Sequence, residues 1–243
     1  MTKSLIDTFN DYFRMVPALT DELKNEVYKL RYQVYCLETG FEDPGHYPEG
    51  LEFDVFDSHS VHYLLYNLNA QCYMATTRLI LPVATDPNEK YPIELFCPID
   101  NMDALAHIDR RHLAEASRFC VSKAFRRRKN EMSNLMGIGT EAENVFTAEE
   151  RRIFPQITLA LFACLIKMSY ENNIHDWYAV MEPALIRIFS TLGMNFIGIG
   201  PITDYHGNRR PCTIKVSDLL DGVKQKDINS WNLLTNNGTF WQN

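Results

Sequence analysis

A chain of 243 residues, 46% hydrophobic and 23% charged, is long enough to bury a core without disulfide or metal staples, so a single α/β domain over 1–243 is the default. Its formal net charge of −7 opposes general attraction to nucleic acid or to an anionic membrane, and any anionic partner has to be met locally. The six cysteines, at 36, 72, 97, 120, 164 and 212, form no close C-x-x-C pair, so no metal site is expected and the thiols read as reduced, in a cytoplasmic setting. The N-terminal stretch lacks an apolar signal core and no later run reaches bilayer-spanning length, so neither export nor an integral membrane segment is expected.

Leu5, Phe9, Tyr12, Phe13 and Val16 recur at helical spacing. A second helix is predicted from Thr20, with Leu23, Val27, Leu30, Val34 and Leu37 on one stripe and Gly40 as its stop. Residues 41–61, rich in Gly, Pro, Asp and Glu, have no period and are expected to form an acidic loop. Residues 62–67 and 71–81 read as an antiparallel hairpin with its turn at 67–70, ended by Pro82. After an irregular stretch, 114–125 reads as a strand, and the polar segment 126–152 as a long, basic, flexible connection. From Pro155 an apolar stripe of Ile157, Leu161, Cys164, Leu165 and Met168 marks a helix that ends near Asn172. Residues 177–181 follow as a buried strand, 183–192 as a helix stopped by Gly193, and 196–199 and 212–216 as strands around a polar turn at 205–210.

Seven charged residues stand out against this framework: Arg31, Glu52, Asp54, Asp57, Arg78, Glu115 and Arg118. Arg78 interrupts an apolar strand and Arg118 lies within Ser117-Arg-Phe-Cys-Val121, so burial of either demands a paired carboxylate, for which the acidic loop is the source. For Arg31, Asp54 and Asp57 a structural network locking the loop to the sheet and a direct chemical role are both open; for Glu115 chemistry is the preferred reading.

Arg31-x-x-x-Tyr35 with Phe41, Glu52-x-Asp54-x-x-Asp57, Arg78-Leu79 and Glu115-x-Ser117-Arg118-Phe119 resemble, in order and approximate spacing, the acyl-homoserine-lactone (autoinducer) synthases. Val180-Met-Glu182 to Arg187 and Ile199 to Pro211 look more like their relatives, the long-chain N-acyl amino acid synthases and the acyltransferases associated with exosortase (PEP-CTERM) systems. Tyr35 and Phe41 depart from the Phe and Trp usual in autoinducer synthases, which weighs against S-adenosylmethionine as acceptor. The resemblance implies a GNAT-like fold: a mixed, mostly antiparallel sheet flanked by helices, with two central strands, 114–125 and 177–181, splayed to receive a pantetheine arm.

It also implies N-acyl transfer. Glu115 is the candidate base, with Ser117, Arg118 and Tyr205 completing the candidate catalytic set; Tyr205 could protonate the leaving thiolate. Arg31, Phe41, Glu52, Asp54, Asp57, Arg78, Phe119, Glu182 and Arg209 form the candidate substrate-binding set, with Arg209 available to bind an acceptor carboxylate. Glu182 could instead cap the helix after it, and His206 beside a glycine reads as a turn residue. No bound cofactor is expected, and no covalent intermediate, so the cysteines read as small apolar fillers. Arg126, Arg127 and Arg128 stand where many acyl-CoA-using relatives carry a glycine-rich pyrophosphate loop. That favours acyl carrier protein, with its 4'-phosphopantetheine thioester, as donor and partner, though a merely solvated basic stretch is equally open. The acceptor is then a small amine, foremost an amino acid; an autoinducer synthase and a non-catalytic lipid- or carrier-binding regulator are the alternatives.

Overall fold

The structure, a computed structural model, describes residues 4–86, 88–123 and 148–240, with only the helical backbone given for 148–156. It divides into two compact units. One comprises Met1–Asp57, Val61–Arg78 and Arg118–Cys164, the other Ser58–Ser60, Leu79–Ser117 and Leu165–Asn243.

In the first unit, α1 (Leu5–Tyr12) starts at Ser4, whose Oγ accepts the Asp7 amide at 3.2 Å. The helix expected to continue through Val16 stops at Tyr12. Phe13–Pro17 is instead β1, antiparallel to β2 (Ser60–Asn67) from Phe13↔Asn67 to Pro17↔Tyr63. Short apolar runs satisfy helix and strand spacing alike, and here the pairing with β2 decides. Thr20 Oγ1 accepts the Leu23 amide and caps α2 (Asp21–Arg31), as its sequence predicts. This helix passes directly into a π-helical stretch, Tyr32–Glu38, before Gly40 turns the chain at φ +67°. The wider turn brings Val34, Tyr35 and Cys36 all into the interior, where Val27, Leu30, Val34, Tyr35, Leu64 and Cys120 form a core with Phe41 packed on it. Asn67 Oδ1 accepts the amides of Asn69 and Ala70 and closes the hairpin between β2 and β3 (Cys72–Ile80). The strand order is β1-β2-β3-β4, where β4 (Leu113–Val121) enters this unit at Arg118.

In the second unit β4 begins at Leu113 and pairs in parallel with β5 (Asp176–Met181), the two being connected in sequence through α4 (Ala148–Glu171). Helix is thus already present at Ala148, upstream of the expected start at Pro155 and inside the expected connection 126–152; residues 124–147 lie outside the described residues. The strand order continues β4-β5-β8-β6, with β6 (Ile197–Gly198) and β7 (Thr203–Asp204) both antiparallel to β8 (Asn208–Lys215). Trp177 is fully buried and donates its indole N–H to Ser169 Oγ at 2.8 Å. Between β5 and β6, α5 (Pro183–Thr191) ends at Gly193, φ +91°, where a Cβ would stand 2.3 Å from Gly222 O. Among the described residues, β1, the short α3 (Pro92–Phe96), β7, and the closing α6 (Val216–Lys226) and α7 (Ile228–Thr235) had no counterpart in the expected elements. Among the described residues no helix is long and apolar enough to cross a membrane.

Candidate active site

Charged residues singled out from the sequence form a network within the first unit. Arg31 is fully buried and donates Nε to Glu52 and Nη1 to Asp57 Oδ1 at 2.7 Å. Arg78 Nη1 donates to Asp54 Oδ1 at 2.7 Å and to Asp57 Oδ1 at 2.9 Å. Arg118 Nη2 donates to Glu52 Oε1 at 2.9 Å and to Asp54 Oδ2 at 3.3 Å, with Glu42 at 3.6 Å and the Tyr35 ring 5.2 Å from its guanidinium carbon. Three guanidiniums thus share four carboxylates. The Glu52 side chain has no exposed surface, whereas Asp54 keeps 24% and Arg118 18%, so the network meets solvent at its Asp54–Arg118 end. Arg118 holds φ +48°, a left-handed conformation unusual for a side chain of this size, and it lies in the middle of β4. The cluster of acids around its guanidinium holds that conformation in place.

These pairings set the protonation of the network. Burial pushes the Glu52 carboxyl up, but Arg31 and then Arg118 outweigh it and bring it down to about 2. Asp57 is likewise buried and is held well below the usual carboxylate range by Arg31 and Arg78. His62 lies 3.4 Å from Asp57 Oδ1; burial and the Arg31 guanidinium pull its imidazole down to about 3. For all three groups the folded state binds protons less readily than the unfolded chain, so each contributes stability at neutral pH that acid removes. The windows differ. His62 acts as pH falls from about 6.5 to about 3, and Glu52 from about 4.3 to about 2. We therefore expect Tm to drop already between pH 7 and pH 5, and His62→Phe to flatten that portion while leaving the steeper fall below pH 4. A parent Tm unchanged from pH 7 to pH 5 excludes the His62 contribution.

Glu115 belongs to the second unit. It is 3% exposed, and its Oε2 accepts the Ile93 amide at 2.9 Å, in the first turn of α3. An amide donor at a helix start favours the ionised carboxylate, the form a base requires. Glu115 stands opposite Tyr178 in the last pair of the β4–β5 ladder. That ladder covers three pairs, Leu113↔Asp176 to Glu115↔Tyr178, whereas β5 pairs with β8 along all six of its residues. Past Tyr178, the β4-facing side of β5 lies beyond the ladder.

Tyr205 stacks on Phe96, the last residue of α3, with ring centroids 5.9 Å apart. Glu115 and Tyr205 are therefore served by the same short helix, Ile93 and Phe96 being about 4.5 Å apart along its axis. Glu182 occupies the N-cap of α5, but its side chain makes no capping bond. Burial raises its carboxyl, and the charge of Arg209 opposes the rise. Ser117 is half-buried in β4; Phe119, also half-buried, packs on Phe162 at 5.4 Å. Phe41 lies on the core of the first unit. Arg126, Arg127 and Arg128 lie outside the described residues. His206 adopts φ +53° in the turn before β8. Burial raises the thiols of Cys36, to about 11, and Cys212, to about 12, which opposes thiolate chemistry at either.

Sequence reasoning passed over Tyr91, Glu94 and Arg110. Tyr91 donates its hydroxyl to Leu113 O at 2.6 Å, and Arg110 grips Glu94 through both terminal nitrogens, at 2.5 and 3.0 Å. The signal available was Tyr91-Pro-Ile-Glu94, a capping residue and a helix-starting proline with Glu three positions after the cap.

Residues 30–135 match the model of the acetyltransferase (GNAT) domain. No curated protein matches the chain in sequence. Among solved structures, the fold is similar to that of TofI in a ternary complex with an inhibitor and MTA, at TM-score 0.58 and 17% identity, covering 87% of this chain and 96% of that one. It is similar to MesI, a CoA-dependent acyl-homoserine lactone synthase, at TM-score 0.57 and 15% identity over 87% and 94%. It is similar also to FeeM, an N-acyl amino acid synthase from uncultured soil microbes, at TM-score 0.54 and 13% identity over 88% and 96%. Residues 30–135 thus carry the match to the GNAT acetyltransferase domain, and the chain has a GNAT-like fold over most of its length. Its architecture is the one used by acyl-homoserine lactone synthases and by an N-acyl amino acid synthase.

Proposed function

We propose that the protein moves a fatty acyl group from the 4'-phosphopantetheine thioester of acyl carrier protein to the amino group of an amino acid, in the cytoplasm. The observation that supports this most is Glu115, held by the Ile93 amide at the point where the β4–β5 ladder ends. A pantetheine arm can hydrogen-bond to the free stretch of β5 as an added strand would, which carries the thioester towards Glu115. Glu115 takes the ammonium proton, directly or through one water. The amine nitrogen then bonds to the thioester carbon, and backbone N–H donors stabilise the oxyanion. The C–S bond breaks, and the second proton of the attacking nitrogen passes to the leaving thiolate, with Tyr205 as the candidate relay that gives one proton to sulfur and takes the other from nitrogen. Arg209 binds the acceptor carboxylate and Glu182 its ammonium before transfer.

The test is thiol release from dodecanoyl-acyl carrier protein with apolar and aromatic amino acids, with mass analysis of the product. An N-acyl amino acid with its carboxylate intact is expected. Acyl-homoserine lactone formed preferentially from S-adenosylmethionine overturns the acceptor, and no thiol release with any amine leaves a carrier- or lipid-binding regulator. For the donor, reversing Arg126, Arg127 and Arg128 to Glu is expected to raise KM for acyl carrier protein about tenfold or more and to spare a dodecanoyl-pantetheine substrate. Equal losses with both donors exclude a docking role for the basic segment.

A further inference from the structure

We propose that Glu94 and Arg110 are positioning residues for Glu115: the pair locks the first turn of α3 against β4 and balances the charge beside the base. The inference rests on the acyl-transfer reading above. Glu94 Oε2 accepts the Tyr91 amide at 3.0 Å, closing the turn from which Ile93 donates to Glu115. Arg110, in the turn immediately before β4, fixes Glu94 from the outside and also donates to Glu89 O at 2.7 Å. Tyr91 Oη reaches Leu113 O, two residues ahead of Glu115 on the same strand. The amide that holds Glu115 is therefore held at both ends of its turn, by the ion pair on one side and by the tyrosine on the other. Tyr178, opposite Glu115, also feels the Glu94 carboxylate, so the acid that closes the turn acts on the side chain across the ladder as well.

The charges around Glu115 make the role testable. Tyr91, Cys97 and Tyr178 each feel its carboxylate, but burial raises all three, Tyr178 to about 12, so they stay neutral across the working range. Asp176 stands at the other end of the ladder, opposite Leu113. Among the described residues, Glu94 and Arg110 act together with Glu115 on both Tyr91 and Tyr178, so an oppositely charged pair stands beside the base. Arg110→Gln uncovers the Glu94 anion, which strengthens the hold of the base on its proton. Glu94→Gln keeps an acceptor for the Tyr91 amide and uncovers the Arg110 cation, with the opposite effect.

The experiment is the pH dependence of kcat/KM for thiol release from dodecanoyl-acyl carrier protein with leucine, for the parent, Arg110→Gln, Arg110→Lys and Glu94→Gln. The pH at which activity falls on the acid side is expected to rise in Arg110→Gln and to fall in Glu94→Gln, each by about half a unit or more. Arg110→Lys retains the charge and is expected to keep the parent profile with a lowered kcat. A role confined to stability lowers Tm in all three and moves no profile. If Arg110→Gln does not fold, Glu94→Gln against Arg110→Lys decides. Profiles that coincide or move together overturn the positioning role; absence of thiol release by the parent overturns instead the reading on which it rests.

Discussion

Replacing Glu115 by Gln is expected to lower the turnover of acyl transfer about 100-fold or more, the scale on which a general base acts, while leaving the fold intact. The amide oxygen of the new side chain can still accept from Ile93 N, which is the contact that Glu115 Oε2 makes at 2.9 Å, so the α3–β4 junction keeps its hydrogen bond. What the variant lacks is a group able to take the ammonium proton. The comparison is of thiol release across pH 6–9, with a thermal melt of each protein. A loss that is largest at pH 6 and only partly recovered by pH 9, with an unchanged melt, fits the base. Activity within a few-fold of the parent removes Glu115 from that role, and the source of the lost proton then has to be sought at Glu182 or in water. Raising the pH is expected to restore part of the variant's rate, because a larger share of the acceptor amine is then already neutral.

Arg31→Met is expected to cost about 3–5 kcal/mol, the range for removing one partner from a buried ion pair, and to lower Tm by about 6–20 °C for a chain of this length. Arg31, like Glu52, is fully enclosed, and it serves Glu52 and Asp57 together, so its loss leaves two enclosed carboxylates short of a partner. Pairing the change with Glu52→Gln is expected to recover part of the loss, because one of the stranded charges is then gone. A melting temperature within about 2 °C of the parent for Arg31→Met excludes the network as a source of stability.

Much of this arrangement was legible because it depends on residue types that local sequence makes conspicuous. Thr20 before an apolar stripe, Gly40 and Gly193 after one, and Asn67 between two β-rich runs each stated an element boundary that the structure keeps. Arg78 and Arg118 within apolar strands announced their own carboxylate partners, since a guanidinium enclosed without one is too costly. What escaped was set at a distance. Phe13–Pro17 is a strand because β2 lies beside it, and nothing in its own spacing separates it from the helix that precedes it. The π-helical stretch at Tyr32–Glu38 preserves helical spacing closely enough to pass for a continuation of α2. Glu94 and Arg110 are sixteen residues apart, and neither is unusual in its neighbourhood.

The left-handed backbone at Arg118 ties the acidic loop to the sheet more tightly than the ion pairs alone convey. An arginine in that conformation is disfavoured by about 1–2 kcal/mol, and what holds it there is Glu52 and Asp54 gripping the guanidinium from the loop. Strand geometry at this point is therefore conditional on loop closure: with the loop away, Arg118 has every reason to relax to an extended conformation, and the strand straightens at that residue. The grip of Glu52 on Arg118 thus joins the backbone conformation of the strand to the closure of a loop more than sixty residues away along the chain.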